Sequence, residues 1–294
     1  MVIKKFLIGS IFSLIIFIST GVGQNVEQRL NRLETRLDSL INALKGQSTN
    51  ISKGDTIRDS MNLLYGIISV KGTLLNKGYF VINHNDSWKI PYWVAYYTSS
   101  SLLQGNAART DDFRADPQLP AGSRAELEDY RNSGYDRGHN APAGDFKRSR
   151  EAMSMTFLLS NMSPQTPKLN RGIWENLEEQ VREIVKEKGE AWIVTGNIFM
   201  TADSQLIQPK EFIGTNNVAV PTHCFKVILL TDENRNYFMC GFLLPNQRDY
   251  IPGKPADYIL KVDKLEQITG YDFFPLLADS IENKLESIVP STWP

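Results

Sequence analysis

The sequence is short of cysteine, of histidine and of net charge. Its two cysteines, Cys224 and Cys240, lie far from the N-terminus, which excludes a lipid-modified N-terminal cysteine. No zinc-finger spacing occurs. A formal net charge of −1 excludes a globally basic coat for nucleic acid but leaves room for a local basic groove. With 41% hydrophobic and 22% charged residues, the chain of 294 residues is too apolar for wholesale disorder. A chain of this length and composition is expected to form one sizeable globular domain with appendages.

The longest apolar run is too short for a membrane span, which needs about 20 apolar residues. It covers residues 6–18, follows two lysines, and precedes small residues at Gly21 and Gly23. This pattern predicts a signal peptide over residues 1–23, removed on export. The expected location is secreted or periplasmic, without stable membrane contact after cleavage. An uncleaved membrane anchor is the alternative interpretation.

A heptad pattern follows over residues 24–45. Apolar residues recur at spacings of 4, 3, 4, 3 and 4, which form an a/d seam: Val26, Leu30, Leu33, Leu37, Leu40 and Leu44. We expect a short coiled coil and therefore a homo-oligomer; an amphipathic helix packed on its own domain is the alternative. Residues 46–62 read as a polar linker.

The remaining chain, residues 63–294, is predicted to be one α+β domain with a mostly antiparallel central sheet. Strand patterns lie on both sides of a central helix over residues 170–189, without βαβ alternation. The helix has an apolar stripe and ends at a glycine; the stripe is Ile173, Leu177, Val181 and Ile184, and the glycine is Gly189. A late helix and a tail complete the domain, and residues 109–134 read as a long functional loop.

The two cysteines flank a predicted hairpin. A turn near Glu233 and Asn234 would place Cys224 opposite about Leu243 and not opposite Cys240. Two buried free thiols are therefore favoured over a disulfide, although export would permit one.

The most specific stretch is "GYDRGHNAPAGDF", residues 134–146, which contains His139. Asn161, Asn170 and Glu178 follow at +22, +31 and +39. Asn170 starts the central helix, where asparagine commonly caps. Eight residues correspond to about 80° beyond two turns, so Asn170 and Glu178 share roughly one side of that helix. An amide oxygen and a carboxylate are hard ligands suited to Mg²⁺.

Hydrolysis of a phosphodiester needs three kinds of group. A neutral histidine can deprotonate water near pH 7. A divalent cation stabilises charge on the phosphate and on the leaving oxygen. An arginine helps to hold the pentavalent phosphate. His139, the pair Asn170 and Glu178, and Arg137 or Arg109 supply this set.

Five blocks of the chain resemble the DNA/RNA non-specific endonucleases of the ββα-metal (His-Me finger) superfamily. The blocks are "YDRGHNAPAGDF", "LSNMSPQTPKLNRGIWENLE", "VTGNIF", "VAVPTHCFKVIL" and "TGYDFFP". The resemblance runs from about residue 65 to about residue 276 and leaves out the predicted signal peptide and heptad helix. It implies that the antiparallel domain carries a ββα-metal finger as its active site.

The resemblance also implies roles for individual residues. His139 would be the general base that activates water, and Asn170 the one direct protein ligand of a hydrated Mg²⁺, with Mn²⁺ as a substitute. Glu178 would orient waters of that ion, Asn161 would position the site, and Arg137 would act near the phosphate.

A further arginine is expected in the loop before the motif. Arg109 is the candidate for stabilising the transition state, and Arg114 competes with it. Asp136 is expected to hold backbone near the turn. Asn140 and Gly144 depart from the residues usual in the family, but neither belongs to the chemical set.

Two further groups carry weaker signals. His84, in the predicted turn "NHND", and His223, at a strand start, are expected to be structural. Lys147, Arg148 and Arg150 form a basic stretch close to the motif, either as a solvated face or as phosphate contacts.

The expected substrates are DNA and RNA, contacted through their backbones. No recognition helix rich in Arg, Asn or Gln occurs, so cleavage should tolerate sequence and be sensitive to salt. The family implies products with 5′-phosphate ends. Two alternatives stay open: a nucleic-acid-binding or surface-assembly protein oligomerised by the coiled coil with little catalysis, and a metal phosphodiesterase for small nucleotides.

Overall fold

The computed structural model of the protein describes residues 61–66 and 68–290. The predicted signal peptide, the heptad helix and nearly all of the linker lie outside these residues. Eleven strands occur in the described part: β1 Thr73–Asn76, β2 Val81–Asn85, β3 Ile90–Ser99, β4 Asp136–His139, β5 Met162–Gln165, β6 Glu190–Ile198, β7 Phe212–Ile213, β8 Val218–Ala219, β9 His223–Thr231, β10 Tyr237–Pro245 and β11 Ile259–Leu260.

Five α-helices lie wholly within the described residues: α1 Leu127–Tyr130, α2 Arg150–Met155, α3 Trp174–Lys188, α4 Val262–Thr269 and α5 Asp279–Glu286. A π-helical turn, Leu169–Ile173, leads into α3, and short 3₁₀ turns span Ala143–Asp145, Leu159–Asn161 and Pro255–Tyr258. Among the described residues, no helix combines the length and the apolar character needed to cross a membrane.

A seven-stranded sheet in the order β1-β2-β3-β6-β9-β10-β11 forms the centre of the domain, and every neighbouring pair in it is antiparallel. The prediction of an α+β domain with a mostly antiparallel sheet is confirmed. Two small antiparallel pairs, β4-β5 and β7-β8, stand apart from it.

Each face of the sheet carries its own hydrophobic core, because successive side chains of a strand point to opposite faces. In β6, Ala191 and Ile193 pack with the core beneath α3, whereas Trp192 and Val194 pack with the core beneath α4 and α5. The sheet therefore separates the α3 side of the domain from the α4 and α5 side.

Helix α3 is held by the apolar stripe that the sequence predicts. Leu177, Val181 and Ile184 are all buried against the sheet, and each buried aliphatic side chain contributes about 1.5–3 kcal/mol. Gly189 ends the helix with a φ of 124°, and its N–H donates to the Val185 carbonyl. One face of α3 is thereby fixed to the sheet.

The structure corrects two local expectations. His84 lies within β2 and not in a turn; it is buried, and its Nδ1 lies 2.9 Å from Asp86 Oδ1. Helix α5 was not predicted as a separate element within the tail.

The hairpin β9-β10 places the two thiols apart. Cys224 faces Leu244 and Cys240 faces Ile228, one position from the register expected for Cys224. Both cysteines are free and buried, as expected.

Candidate active site

Strands β4 and β5 with α3 bring the candidate residues to one cleft. His139 pairs with Met162 at the end of the β4-β5 ribbon, and the chain then runs through the π-helical turn into α3. The cleft has a volume of about 730 Å³, and His139, Asn170 and Glu178 all line it. Two strands and a helix thus join residues that are 31 and 39 positions apart.

Aromatic packing holds the His139 ring. Its centroid lies 4.9 Å from that of Phe157 and 5.8 Å from that of Phe113. Nε2 is buried and has no hydrogen-bond partner among the described residues. Burial first, and then the charges of Arg109 and Arg137, lower the His139 pKa to about 3. The imidazole is therefore neutral near pH 7 and has a lone pair available for a proton.

Asn161 holds the backbone that follows His139. Its Nδ2 donates to the carbonyls of Ala141 and Thr156 at 2.9 and 2.8 Å, and its Oδ1 accepts from the Ala141 N–H at 2.9 Å. The side chain is fully buried and does not line the cleft. Asn161 is therefore a positioning residue, and the structure does not place it among the groups that could touch substrate. Asn140 reinforces the same loop, because its Nδ2 donates to the Asn161 carbonyl at 3.0 Å.

Asn170 is oriented by Asp136 and does not cap α3. Its backbone N–H donates to the Thr166 carbonyl, and it lies inside the π-helical turn rather than at a helix start. Its Nδ2 donates to Asp136 Oδ2 at 2.9 Å. Because the amide nitrogen faces Asp136, the amide oxygen is left for a ligand in the cleft.

Asp136 therefore binds side chains, whereas the sequence analysis predicted that it holds the backbone near the turn. Besides Asn170, it accepts a bidentate pair of hydrogen bonds from Arg171 at 2.8 and 2.6 Å. The ion pair directs the oxygens of the Asp136 carboxylate at the turn. Gly172, with φ −126° and ψ −111°, breaks the helical geometry between Asn170 and Glu178. Asn170 and Glu178 therefore line the same cleft by way of this kinked turn. The sequence analysis predicted that one uninterrupted helix, with 100° per residue, would bring them together.

Glu178 lines the cleft and lies close enough to a buried lysine, Lys226, to feel its charge. Lys226, on β9, is 1% exposed; its Nζ donates to Thr195 Oγ1 at 2.7 Å and lies 5.0 Å from the Trp174 ring centroid. Burial raises the Glu178 pKa, and the nearby charge of Lys226 is the strongest influence that opposes this rise. Lys226 thus favours the ionised form of Glu178, the form that can hold metal-bound water.

An ion pair between α3 and the motif also supports the cleft. Arg182 Nη1 lies 3.1 Å from Asp145 Oδ1, and Tyr96 donates to Asp145 Oδ2 at 2.7 Å. Arg182 is one turn beyond Glu178 on α3 and lines the cleft. The ion pair anchors the 3₁₀ turn Ala143–Asp145 to α3, so the position of this turn follows that of the helix.

The structure distinguishes the two loop arginines. Arg109 lines the cleft, stacks over the Phe157 ring at 4.9 Å and is half exposed. Arg114 does not line the cleft, and it donates to Asp112 and to the Ser154 carbonyl. Arg137 lines the cleft and stacks over Phe113 at 4.0 Å. The cleft therefore has Arg109 and Arg137 on the side of His139.

Several lining residues were not predicted from sequence. Arg171, Glu175 and Arg182 line the cleft beside the expected set. Their positions on the helix turns adjoining Asn170 and Glu178 carry the only signal that could have found them. Of the basic stretch, Lys147 lines the cleft, whereas Arg148 stacks over Tyr79 at 5.0 Å elsewhere. Arg150 is exposed and does not line the cleft.

His223 also lies outside the cleft. Its Nδ1 is 3.0 Å from Thr222 Oγ1 at the start of β9.

The donor set of the cleft fits one hard, hydrated cation. The amide oxygen of Asn170 and the carboxylates of Glu178 and Glu175 are oxygen donors, and no cysteine lines the cleft. Amide and carboxylate oxygens are donors that suit a hard cation such as Mg²⁺ or Mn²⁺. A neutral histidine, a cation site and two arginines around one cleft can activate water against a phosphodiester.

Comparison with known proteins gives a family match over most of the chain. The profile of the DNA/RNA non-specific endonuclease family matches residues 63–280. The mitochondrial nuclease EXOG of Danio rerio is 38% identical over 203 residues, which is 67% of this chain and 59% of that protein. A nuclease of Nostoc sp. is 36% identical over 225 residues, 74% of this chain and 78% of the other.

A solved structure shares the fold. The crystal structure of an EndoG/EndoGI complex, solved to explain how EndoG is inhibited, superposes with a TM-score of 0.70 at 28% identity. The superposition covers 79% of this chain and 95% of the matched chain.

Proposed function

Because this chain belongs to the family of DNA/RNA non-specific endonucleases, which are nucleic-acid-hydrolysing and metal-dependent enzymes, we propose that it cleaves DNA and RNA with one hydrated Mg²⁺ and a histidine general base. One observation carries the proposal. A neutral, buried His139 and an Asn170 held through its amide nitrogen face the same arginine-lined cleft.

The chain's own residues perform the proton transfer and bind charge. His139 accepts a proton from a water molecule that attacks the phosphorus, and the low His139 pKa keeps the base unprotonated before the reaction. Arg109 and Arg137 line the same cleft and would stabilise the charge that the phosphate oxygens gain in the transition state. Asn170 would hold Mg²⁺, and Glu178 would orient its waters; the ion supplies charge stabilisation to the phosphate and to the leaving oxygen.

The substrate is expected to be contacted through its sugar-phosphate backbone. Basic side chains dominate the cleft: Arg109, Arg137, Lys147, Arg171 and Arg182. Guanidinium and ammonium groups bind phosphate without reading sequence, so we propose cleavage that tolerates sequence in both DNA and RNA and leaves 5′-phosphate ends.

A plasmid assay tests this function. Supercoiled circular DNA should be nicked in the presence of Mg²⁺ and left intact after EDTA, and a structured RNA should be degraded under the same conditions. Because phosphate contacts release counterions, the rate at subsaturating substrate should fall steeply between about 50 and 200 mM salt. Binding of the plasmid without nicking would favour the non-catalytic alternative. Cleavage of a small diester but not of circles would favour a nucleotide phosphodiesterase.

Asp136→Ala should weaken metal binding and leave the rate at saturating metal unchanged. The substitution removes the acceptor that orients the Asn170 amide, and loss of such a supporting contact typically costs about 10–100-fold in metal affinity or activity. The measured quantity is the Mg²⁺ concentration that gives half-maximal nicking, which should rise, while the rate at saturating Mg²⁺ recovers. Glu128→Ala, which removes an exposed ion pair with Arg131, is the matched control. An unchanged metal dependence would contradict the role of Asp136.

Export and self-association are further proposals that rest on the sequence. We propose that residues 1–23 direct export to a secreted or periplasmic location and that residues 24–45 form the homo-oligomer. The name of the Danio rerio relative places that protein in mitochondria. The apolar run after two lysines supports export, because mitochondrial transit peptides are amphipathic and rich in arginine.

A further inference from the structure

A lysine interrupts the apolar row of β9 that faces α3. Successive side chains of a strand alternate between the two faces of a sheet, so Lys226 shares its face with Cys224, Ile228 and Leu230. These three are buried in the core beneath α3, and Lys226 is equally inaccessible, with 1% of its surface exposed. Lysine is almost never fully buried unless it is paired, because removing an ammonium group from water costs free energy. Burial at this position therefore requires a counter-charge.

The position of Lys226 in the sheet closes its ammonium group off from solvent. Strand β9 runs between β6 and β10, and Lys226 pairs with Thr195 on β6 and with Phe242 on β10. Its Nζ donates to Thr195 Oγ1 at 2.7 Å, and the Thr195 side chain is itself buried. The ring centroid of Trp174, at the start of α3, lies 5.0 Å from Nζ. Thr195 and Trp174 thus hold the ammonium group beneath the beginning of α3, one turn before Glu178.

The charges that act on Lys226 come from the walls of the cleft. Burial lowers the Lys226 pKa, and the charge of Glu178 is the strongest influence that opposes this, followed by that of Asp145. The converse also holds, because burial raises the Glu178 pKa and Lys226 opposes that rise most strongly. Lys226 and Glu178 are therefore each other's principal counter-charge.

The other cation at this place has a different partner. Arg182 also lines the cleft, but its Nη1 lies 3.1 Å from Asp145 Oδ1, and the two form an ion pair between α3 and the motif. Asp145 thus balances Arg182, and Lys226 balances Glu178. The two cations are not interchangeable, because Lys226 is fixed in the sheet and Arg182 on the helix.

We propose, on the basis of the nuclease function described above, that Lys226 is a positioning residue of the reaction, acting on the water shell of the metal through Glu178. The buried ammonium group holds a charged Glu178 carboxylate at the wall of the cleft, where it can accept hydrogen bonds from waters of the ion. Lys226 does not line the cleft, so it touches neither substrate nor metal itself.

A double-mutant cycle with Glu178 tests this coupling. Lys226→Met should raise the Mg²⁺ concentration for half-maximal plasmid nicking by about 10–100-fold, the usual cost of losing a supporting contact around a metal. Glu178→Gln removes the group through which Lys226 acts, so Lys226→Met should cause no further loss in that background. Calorimetric titration with Mn²⁺, which needs no turnover, should show the same pattern. An unchanged metal dependence of Lys226→Met, or equal losses in both backgrounds, would overturn the proposal.

Thermal unfolding in EDTA tests the same pair without metal or catalysis. Removing one partner of a buried pair leaves an unbalanced charge, so Lys226→Met should lower Tm by about 10 °C. Adding Glu178→Gln should recover part of this loss, because the unbalanced carboxylate is then gone. Lys77→Met is the matched control; it breaks a buried pair with Asp116 outside the cleft, and Glu178→Gln should not recover its Tm. Additive losses at Lys226 and Glu178 would contradict the pairing.

A milder substitution protects the test from a folding defect. Thr195→Val removes the hydroxyl that accepts from Lys226 and should shift the Mg²⁺ dependence in the same direction by a smaller factor. Thr195→Ser, the conservative variant, retains a hydroxyl and should recover the dependence. Equal Mg²⁺ dependence of these two variants would refute the role of Lys226 in an active protein, whereas an unsubstituted protein that never nicks plasmid would refute the nuclease function instead.

Discussion

His139→Ala should lower kcat for plasmid nicking by about 10²–10⁴-fold, the contribution of a positioned general base. The substitution removes the neutral imidazole that faces the cleft and leaves Arg109, Arg137 and Asn170 in place. KM should change little, because His139 is only 9% exposed and its ring packs against Phe113 and Phe157. Single-turnover nicking of supercoiled plasmid at saturating Mg²⁺ measures the effect. Full activity of this variant would refute the mechanism.

Chemical rescue separates a lost base from a damaged fold. The substitution opens a cavity beside Phe157 that can admit imidazole, and added imidazole should restore part of the rate. The rescue should increase as pH rises through the range in which free imidazole loses its proton, since only the neutral base accepts one. His84→Ala, which removes a buried histidine outside the cleft, is the matched control and should show no rescue.

The low pKa of His139 also predicts a pH dependence of stability. Burial, with the charges of Arg109 and Arg137, keeps the folded-state pKa at about 3, below the unfolded value of about 6.5. Below pH 6.5 the unfolded chain binds a proton at His139 that the folded state does not bind. The contribution of the unprotonated histidine to the free energy of unfolding is therefore complete above about pH 6.5 and is lost as pH falls towards 3. Urea unfolding at about pH 7.5 and 4.5 should therefore show a smaller loss of stability for His139→Ala than for the unsubstituted protein.

Asn170→Ala should abolish most metal-dependent cleavage. It removes the amide oxygen to which we assign the metal, and several kcal/mol of charge stabilisation by the metal correspond to a loss on the order of 10³-fold. The loss should persist at high Mg²⁺, unlike that of Asp136→Ala. Nicking rates across a Mg²⁺ titration measure it, and ordinary cleavage at ordinary Mg²⁺ would exclude Asn170 as the ligand.

Exchanging the side chains of Asn170 and Asp136 tests whether their hydrogen bond orients Asn170. Asn170→Asp retains an oxygen ligand but loses the donor to Asp136 and places two carboxylates face to face. We expect it to be impaired despite the gain of a charged ligand. Combining it with Asp136→Asn restores a donor and an acceptor in the reverse order and should recover part of the activity. If Asn170→Asp alone is fully active, the hydrogen bond to Asp136 does not determine the site.

Much of the fold was predictable because it depends on short-range periodicity. The stripe of α3 repeats at helical spacing, and the strands β6, β9 and β10 alternate between two buried faces. Helix α5 was missed because it is short and has few apolar residues, so its packing and not its pattern makes it helical. The position of His84 within β2 was missed because the polar string "NHND" is typical of turns, while burial against the sheet places it in a strand.

By itself the sequence identified the residue types to which we assign the chemistry. The spacing of His139, Asn170 and Glu178 and the motif blocks around them predicted a nuclease-like cleft within an antiparallel domain. Only the tertiary structure decided between Arg109 and Arg114, because both lie in one loop and the choice depends on which side chain reaches the cleft.

The tertiary structure also decided how the site is held. Asn170 donates a hydrogen bond to Asp136, 34 residues away, and Lys226 is buried beneath α3. Neither feature produces a periodic pattern in the sequence. Such contacts join residues that the topology brings together, so a local pattern cannot encode their partners. Composition and spacing specify donors and bases, whereas orientation, burial and the resulting pKa shifts follow from long-range packing.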